Sequence, residues 1–229
     1  MERICFLGQS PALQFAKAYA CGCGFTSADD PAQADTVLLD IPTRQIPEAV
    51  TNTSAIVYGG SLPQGFGVDL LRDPWYLEAN AAITAHCALQ LAFEKLTCIL
   101  PEAPVLILGW GRIARHLARL CHGLGAAVTI WARKETNRAE AAAMGLDTCS
   151  FSQLDSRLGH FRLIFNTIPA PILNTQWCRE DCVKIDLASV QGLSGAGILW
   201  AKGLPGKMAP ESSGKLIIQS MIRLEEAEK

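Results

Sequence analysis

The sequence predicts an α/β protein in which a doubly wound parallel sheet is preceded by a smaller α/β lobe. Its 229 residues suffice for one full domain and a reduced partner. Short β-rich runs alternate with helical stretches, which is typical of a parallel sheet covered by helices. We therefore expect an amino-terminal lobe over residues 1–76, a connecting helix over 77–99, a doubly wound domain over 100–210 and a carboxy-terminal helix over 211–229.

The composition excludes several classes of protein. A chain that is 49% hydrophobic can bury enough surface to fold, and a net charge of −2 leaves no basic excess for binding nucleic acid. No apolar run approaches the roughly 20 residues that a membrane helix needs. The first apolar run, Ile4–Gly8, is too short for a signal-peptide core, and the nine irregularly spaced cysteines fit reduced thiols. We therefore expect a cytoplasmic protein without a metal site.

In the amino-terminal lobe we predict three strands and one helix, followed by a loop over residues 59–76 that is rich in glycine and proline. The strands are Ile4–Leu7, Thr36–Leu39 and Ala55–Tyr58, and the helix is Pro11–Ala20. A long helix from about Trp75 to Leu96 then follows. Alanines recur on one face of it at helical spacing, at positions 81, 85, 88 and 92. That smooth face would serve packing between lobes or pairing of two subunits.

The second lobe begins with a buried strand, Val105–Leu108, and an amphipathic helix, Arg112–Leu124, which Gly125 ends. A second strand, Ala127–Trp131, and an alanine-rich helix over residues 136–144 follow. Further strands are expected at 147–151, 162–166, 183–187 and 197–201, and a helix from about Glu211 closes the chain. Six strands alternating with helices describe a complete doubly wound domain.

The turn between the first strand and helix of this lobe carries the strongest chemical signal. Its residues are Gly109, Trp110, Gly111, Arg112, Ile113 and Ala114. In a GxGxxA turn the first glycine permits the sharp bend and the second lets the backbone approach a pyrophosphate. The small third residue lets helix and strand pack closely. We predict a Rossmann-type dinucleotide site here, and a purely structural glycine turn remains the alternative.

The end of the second strand predicts which dinucleotide binds. NAD enzymes usually place a carboxylate there to accept hydrogen bonds from the ribose hydroxyls. This chain has Ala132, Arg133 and Lys134 instead, and an arginine can offer a planar fork of donors to a 2′-phosphate. We therefore predict NADP, with NAD possible. The alternative is that Arg133 and Lys134 are ordinary solvated charges.

Three later loops follow predicted strands and are expected to face the same crevice, because ligands bind beyond the carboxyl ends of parallel strands. They are Asn166–Pro171, Asp186–Ser189 and Gly203–Lys207. From the first two we take five further cofactor-binding candidates, which are Thr167, Ile168, Pro169, Asp186 and Ala188.

These segments resemble the NAD(P)-binding subunit of dipicolinate synthase, a family related to the D-2-hydroxy-acid dehydrogenases. The similarity covers about residues 77–222 and is most specific in Asn-Thr-Ile-Pro and in the run from Gly203 to Pro210. It implies an oxidoreductase that forms dipicolinate (pyridine-2,6-dicarboxylate) in sporulating bacteria from a dihydro or hydroxy-tetrahydro dicarboxylate. The resemblance also implies a nicotinamide cofactor and a second, flavoprotein-like subunit as partner.

The sequence departs from that family in two places. The region before residue 77 is shorter than expected, so that part of the substrate wall would be missing. The connecting helix carries Thr84-Ala85-His86-Cys87 where the family is expected to have Thr-x-Glu-Gly. The departures leave two alternatives open: a dehydrogenase or reductase of another small oxo- or hydroxy-acid, and a non-catalytic cofactor-binding partner.

The candidates for catalysis are few. His86 is a candidate base because a histidine titrates near neutral pH, although its helical stripe equally fits a packed histidine. Lys207 and Arg72 are candidates for holding a dicarboxylate, and Ser189 is a candidate donor to substrate or nicotinamide. We further predict a homodimer, because closed twofold dimers are the commonest oligomers.

Overall fold

The computed structural model describes residues 2–227, with the backbone alone at residue 151. The chain divides into two compact units. The first comprises the residues up to Ile83 together with those from Pro205 onward, and the second is Thr84–Leu204. The four-segment division expected from the sequence stays a prediction.

The first unit is built on a five-stranded parallel sheet among the described residues. Its strands lie in the order β2-β1-β3-β4-β5. The elements along this part of the chain are β1 (Arg3–Leu7), α1 (Pro11–Gly22), β2 (Thr26–Ala28), β3 (Thr36–Leu39), α2 (Glu48–Thr51), β4 (Ile56–Gly59), β5 (Val68–Asp69) and α3 (Pro74–Lys95).

The count of three strands in this lobe is therefore wrong, because β2 and β5 escape the sequence pattern. Strand β2 is short and largely exposed, so it lacks the apolar alternation that marks a strand. Strand β5 has only two residues and lies within the segment expected to be a loop. The helix α1 and the strands β1, β3 and β4 agree with prediction to within two residues.

The second unit contains a six-stranded parallel sheet in the order β13-β11-β9-β6-β7-β8. Counted along the chain, this is the doubly wound order of a Rossmann-type domain, and the predicted fold class is confirmed. Its elements are β6 (Val105–Leu108), α4 (Arg112–Gly123), β7 (Val128–Trp131), α5 (Glu135–Ala143), β8 (Asp147–Cys149), α6 (Phe151–Arg157), β9 (Leu163–Asn166), β10 (Leu173–Asn174), β11 (Val183–Asp186), β12 (Leu193–Ser194) and β13 (Ile198–Trp200).

The central strands of this unit, β6 and β9, are completely buried. Their near-continuous apolar sequences are typical of parallel strands covered on both faces. The short strands β10 and β12 pair with each other outside the main sheet and were not predicted. Helix α6, which has seven residues, was also missed.

Two helices lie at the end of the chain, α7 (Leu204–Met208) and α8 (Pro210–Ala227). The segment Gly203–Lys207 was expected to be a loop. In the structure the short helix α7 begins at Leu204, so Lys207 lies in a helix. In the first unit α8 packs against α1, and Gly214 is needed for this contact. A Cβ atom on Gly214 would lie 2.5 Å from the carbonyl oxygen of Ala12 and 2.6 Å from the amide nitrogen of Ala16.

The alanine face of α3 is buried within the single chain. Ala81, Ala85, Ala88 and Ala92 are at most 4% exposed. This face is therefore not available for pairing two subunits, and the dimer stays a prediction without that interface. Within residues 2–227 no helix is both long and apolar enough to span a bilayer.

Candidate functional site

The turn after β6 is shaped by Gly109. Its φ angle is +106°, in the region that side chains rarely adopt, and its amide donates to the carbonyl oxygen of Trp131 at 2.8 Å. A Cβ atom here would lie 2.4 Å from Oγ1 of Thr167. Thr167 is itself held by the end of β6, because its amide and its hydroxyl both donate to the carbonyl oxygen of Leu108, at 3.0 and 2.8 Å. Gly109 thus lets two loops meet.

The amino terminus of α4 opens onto free space. Gly111 is the N-cap, with extended backbone, and a Cβ atom added to it would meet nothing within 4 Å. Because the N-cap residue is a glycine, it has no side chain to cap this terminus, and the first turn contains no acidic residue. The first N–H groups of an α-helix have no acceptor within the helix, and together with the positive end of the helix dipole they suit a phosphate group. The arrangement fits the pyrophosphate of a dinucleotide.

The side chain of Trp110 is directed into the protein. The indole is buried, and its Nε1 donates to Oε2 of Glu140 on α5 at 2.9 Å. Arg115 reaches the same carboxylate oxygen at 3.4 Å and lies 5.9 Å from the centre of the indole. Trp110 therefore anchors the turn through side-chain contacts within the protein. Of the three remaining residues of the motif, Arg112 is exposed, Ile113 is half-buried and Ala114 is buried.

The loop after β7 presents two cations to solvent. Ala132 is buried, whereas Arg133 and Lys134 are exposed. The loop is held from behind by Arg138 on α5, whose Nη1 donates to the carbonyl oxygens of Ala132 and Arg133 at 2.7 and 3.0 Å. Arg138 was not predicted from the sequence. Its position could have indicated this contact, because Arg138 lies five residues beyond Arg133 and within the first turns of the next helix.

The loops after β9 and β11 are joined by the side chain of Asn166. Its Nδ2 donates to Oδ1 of Asp186 at 3.0 Å and to the carbonyl oxygen of Ile168 at 3.1 Å. Its Oδ1 accepts from the amide of Ile168 at 3.0 Å. Asn166 is fully buried, and it fixes the start of the Thr167–Pro169 segment. It is the first residue of the Asn-Thr-Ile-Pro motif, but it was not predicted as a site residue.

Asp186 is a buried acceptor for four donors. Besides Asn166, the amide of Ala188 donates to Oδ1 at 3.1 Å, and the amides of Gly192 and Leu193 donate to Oδ2 at 2.7 and 2.8 Å. The side chain is fully buried, and these four hydrogen bonds replace the water that the carboxylate loses on burial. The geometry gives Asp186 a positioning role for the loops around it.

Gly192 belongs to this network and was not predicted. A Cβ atom on it would lie 2.5 Å from the carbonyl oxygen of Ala170 and 2.5 Å from Nδ2 of Asn166. Its amide donates to Asp186, so both its missing side chain and its N–H are required. The loops after β9 and β11 therefore pack backbone against backbone.

The structure brings together Gly109, Thr167, Ile168, Asp186 and Ala188 through these contacts. Most of the remaining candidates are exposed. In the second unit His86 and Ser189 are exposed, as are Pro169 and the cations after β7; in the first unit Lys207 is exposed. The exposure of His86 rejects the alternative of a packed core histidine. Within the described residues no group of three or more His, Cys, Asp or Glu side chains could hold a metal ion.

The family comparison agrees with this site. Residues 92–179 match the model described as D-isomer specific 2-hydroxyacid dehydrogenase, NAD binding domain. The class that the fold and the glycine turn define is therefore that of the nicotinamide-dependent oxidoreductases.

Within that class the chain is similar to one subunit of dipicolinate synthase. It is 30% identical over 156 residues to that protein from Bacillus subtilis (strain 168), and the alignment covers 63% of this chain and 52% of the relative. The chain thus spans about half the length of the curated relative it matches. The resemblance predicted from the motifs is confirmed.

Two solved structures of the same dipicolinate synthase subunit share the fold. The protein from Bacillus halodurans superposes with a TM-score of 0.82 at 22% identity, covering 97% of each chain. The protein from Bacillus subtilis superposes with a TM-score of 0.80 at 20% identity, covering 100% of this chain and 98% of the other.

Proposed function

We propose that the protein is the cofactor-binding subunit of an NADP-dependent dehydrogenase that forms dipicolinate during sporulation. The proposal is supported by the similarity to a dipicolinate synthase subunit and by the glycine turn at a helix terminus whose N-cap is a glycine. The observation that carries it is the junction of Gly109, Thr167 and α4, which leaves open space where a pyrophosphate would lie.

The bound nicotinamide would accept a hydride from the substrate, which is the chemistry that the residues of this chain do not supply themselves. The amides at the start of α4 bind the pyrophosphate, with Gly111 leaving room for it. The Asn166–Asp186 network holds the Thr167–Pro169 segment and the backbone at Ala188 in place. These residues position and orient the cofactor.

Discrimination between NADP and NAD is assigned to Arg133, with Lys134 adding a second charge. Both side chains are exposed at the end of β7, and Arg138 holds the backbone of the loop from behind. A guanidinium can pair with a 2′-phosphate through two parallel hydrogen bonds. NADH, which lacks that phosphate, gains nothing from this pair.

The substrate is proposed to be a small cyclic dicarboxylate, which requires cations and a base. His86 is the proposed base, Ser189 a hydrogen-bond donor and Lys207 a cation for a carboxylate. Arg72 is a further cation: its Nε lies 3.3 Å from Asp69 and its Nη2 donates to the carbonyl oxygen of Leu62 at 3.3 Å. These contacts orient the guanidinium of Arg72, whose side chain remains 62% exposed.

The proposal includes a cytoplasmic homodimer and a flavoprotein-like partner subunit. The relative is one subunit of a synthase, which supports the existence of a partner. Light scattering at micromolar concentration tests the homodimer, and a mass near that of the 24.7 kDa chain rejects it.

The activity test supplies the protein with freshly prepared dihydrodipicolinate precursor and NADP⁺, with and without a homologue of the flavoprotein-like partner. Formation of reduced nicotinamide together with dipicolinate is expected. Turnover of another oxo- or hydroxy-acid alone would replace the substrate, and cofactor binding without turnover in either arm would reject the enzyme.

The cofactor test compares NADPH and NADH by fluorescence titration. Arg133→Ala is expected to lower the affinity for NADPH about 10- to 100-fold and to leave the affinity for NADH unchanged, because a charge-assisted hydrogen bond contributes about 1.5–3 kcal/mol. Arg119→Ala is the matched control, since Arg119 is an exposed arginine further along α4. Tighter binding of NADH by the unsubstituted protein would contradict the assignment.

A further inference from the structure

The last residue of β13 lies beside the last residue of β11. Trp200 pairs with Asp186 in the parallel sheet, and each of them ends its strand. The pairing continues past both strands, because the amide of Ala201 donates to the carbonyl oxygen of Asp186 at 2.8 Å. Ligands of open parallel sheets bind beyond the carboxyl ends of the strands. Trp200 therefore lies at the same edge of the sheet as the glycine turn and the Asn166–Asp186 network.

The indole of Trp200 extends past this edge. Its Nε1 donates to the carbonyl oxygen of Ala188 at 3.0 Å, and Ala188 lies two residues beyond the end of β11. The amide of Ala188 donates to Oδ1 of Asp186 at 3.1 Å, so this residue is held at its amide by Asp186 and at its carbonyl by Trp200. The same carbonyl belongs to the peptide bond to Ser189, whose side chain is exposed. Trp200 thus fixes the backbone from which Ser189 projects.

The ring of Trp200 also holds a cation. The Nζ atom of Lys202 lies 4.1 Å from the centre of the ring, within the range in which an aromatic face attracts an ammonium group. The side chain of Lys202 is exposed, and among the described residues no carboxylate forms an ion pair with it. One tryptophan therefore holds both the backbone before Ser189 and a positive charge that is open to solvent.

The place of these residues in the sheet indicates which part of the cofactor they face. A doubly wound sheet has two halves, and each half binds one mononucleotide of the cofactor. The half formed by β6, β7 and β8 contains the glycine turn and Arg133, which bind the pyrophosphate and the 2′-phosphate in the proposed function. The half formed by β9, β11 and β13 is then the nicotinamide half. A substrate that transfers hydride must contact the nicotinamide, so Trp200 and Lys202 lie in the half that the substrate reaches.

We propose that the ammonium of Lys202 and the hydroxyl of Ser189 bind one carboxylate group of the substrate, and that Trp200 is the positioning residue for both. The inference rests on the proposed function, because it takes the substrate to be a small acid that reduces the nicotinamide. An ammonium and a hydroxyl each donate a hydrogen bond to a carboxylate oxygen, and such charge-assisted bonds are about twice as strong as neutral ones. The site therefore selects substrates that carry a carboxylate.

The test titrates the protein, saturated with NADP⁺, with pyridine-2,6-dicarboxylate by isothermal titration calorimetry. Lys202→Met is expected to lower the affinity about 10-fold, because it removes a charge-assisted hydrogen bond, and Lys202→Arg to retain most of it. Lys95→Met is the matched control, since Lys95 is an exposed lysine of the same unit at the end of α3. Equal affinities of Lys202→Met and Lys95→Met, or no binding by the unsubstituted protein, would overturn the proposal.

Trp200→Phe tests the positioning role, because it keeps an aromatic ring and removes the N–H group that holds Ala188. It is expected to lower the affinity for the dicarboxylate about threefold and to raise KM more than it lowers kcat. Trp177→Phe, at another exposed tryptophan of this unit, is the matched control. A change in kcat alone would overturn the role of Trp200.

The two levels of the proposal fail separately. Dicarboxylate binding that depends on Lys202 but is not followed by turnover would reject the proposed dehydrogenase and support this site. Turnover together with an undiminished affinity of Lys202→Met would overturn this site and leave the dehydrogenase in place.

Discussion

Replacing Asp186 by asparagine keeps the volume of a fully buried side chain and removes half of its capacity to accept hydrogen bonds. The carboxylate accepts from Asn166 and Ala188 on one oxygen and from Gly192 and Leu193 on the other. An asparagine has one acceptor oxygen and one NH₂ group. Whichever way its amide turns, two of the four donors face a donor.

The expected loss of stability follows from those two contacts. A buried donor that loses its partner costs about 1–3 kcal/mol, and loss of the charge weakens the remaining pair. We therefore expect Asp186→Asn to lower the free energy of unfolding by about 2–5 kcal/mol. Turning the amide of Asn166 gives no relief, because its present orientation also serves two hydrogen bonds with Ile168.

The measurement is urea-induced unfolding followed by circular dichroism, together with titration of NADPH. Asp155→Asn is the matched control, because Asp155 is exposed on α6 and its substitution should change the free energy of unfolding by less than about 0.5 kcal/mol. The substitution should also lower the affinity for NADPH, because the loops at Thr167 and Ala188 are then held less firmly. A loss below about 1 kcal/mol with unchanged affinity would refute the positioning role of Asp186.

Gly109→Ala should cost about 1–3 kcal/mol by thermal or urea unfolding, because its φ is +106° and the new methyl group meets Thr167. Gly111→Ala should lower the free energy of unfolding by less than about 1 kcal/mol yet weaken the binding of NADPH, since its methyl group enters open space at the helix terminus. A loss of stability as large as that of Gly109→Ala would contradict this. For Asp147, burial raises the pKa, but the hydrogen bond from Arg157 at 2.6 Å, the charge of that arginine and the hydrogen bonds from Thr129 and from the amide of Thr148 together outweigh it, so the pKa is lowered. Its stabilising effect is therefore present above the unfolded pKa of about 3.9 and lost as pH falls through the lower folded value. Arg157→Gln should move the midpoint of acid unfolding to higher pH. It should lower the free energy of unfolding by less than about 1 kcal/mol, because the pair is largely exposed. An unchanged midpoint would argue against a stabilising role of the pair.

The cofactor site shows where sequence patterns are informative. The turn Gly109–Ala114, the strand before it and the helix after it follow from local rules, because glycine, apolar runs and helix starts each have a direct conformational meaning. The cations at Arg133 and Lys134 could likewise be placed at the end of a strand by counting residues. These features depend on neighbours in the chain.

The network behind the site could not be predicted in the same way. Arg138 supports the loop at Arg133 from the following helix, and Gly192 reaches Asp186 from six residues away. The sequence indicated Asp186 as a cofactor residue, yet its four acceptor contacts give it a positioning role. Which donors a buried carboxylate meets depends on how separate loops pack.

The sequence by itself determined the class of this protein: alternating apolar runs require a parallel sheet, and the glycine turn requires a close approach of backbone and anion. Only the tertiary structure decided that the alanine face of α3 is buried, that two short strands complete the first sheet, and that four donors meet the carboxylate of Asp186. The physical reason is the range of the interactions. Backbone preferences and periodicity act over a few residues, whereas burial, strand pairing and the partners of a buried carboxylate depend on groups that folding brings together.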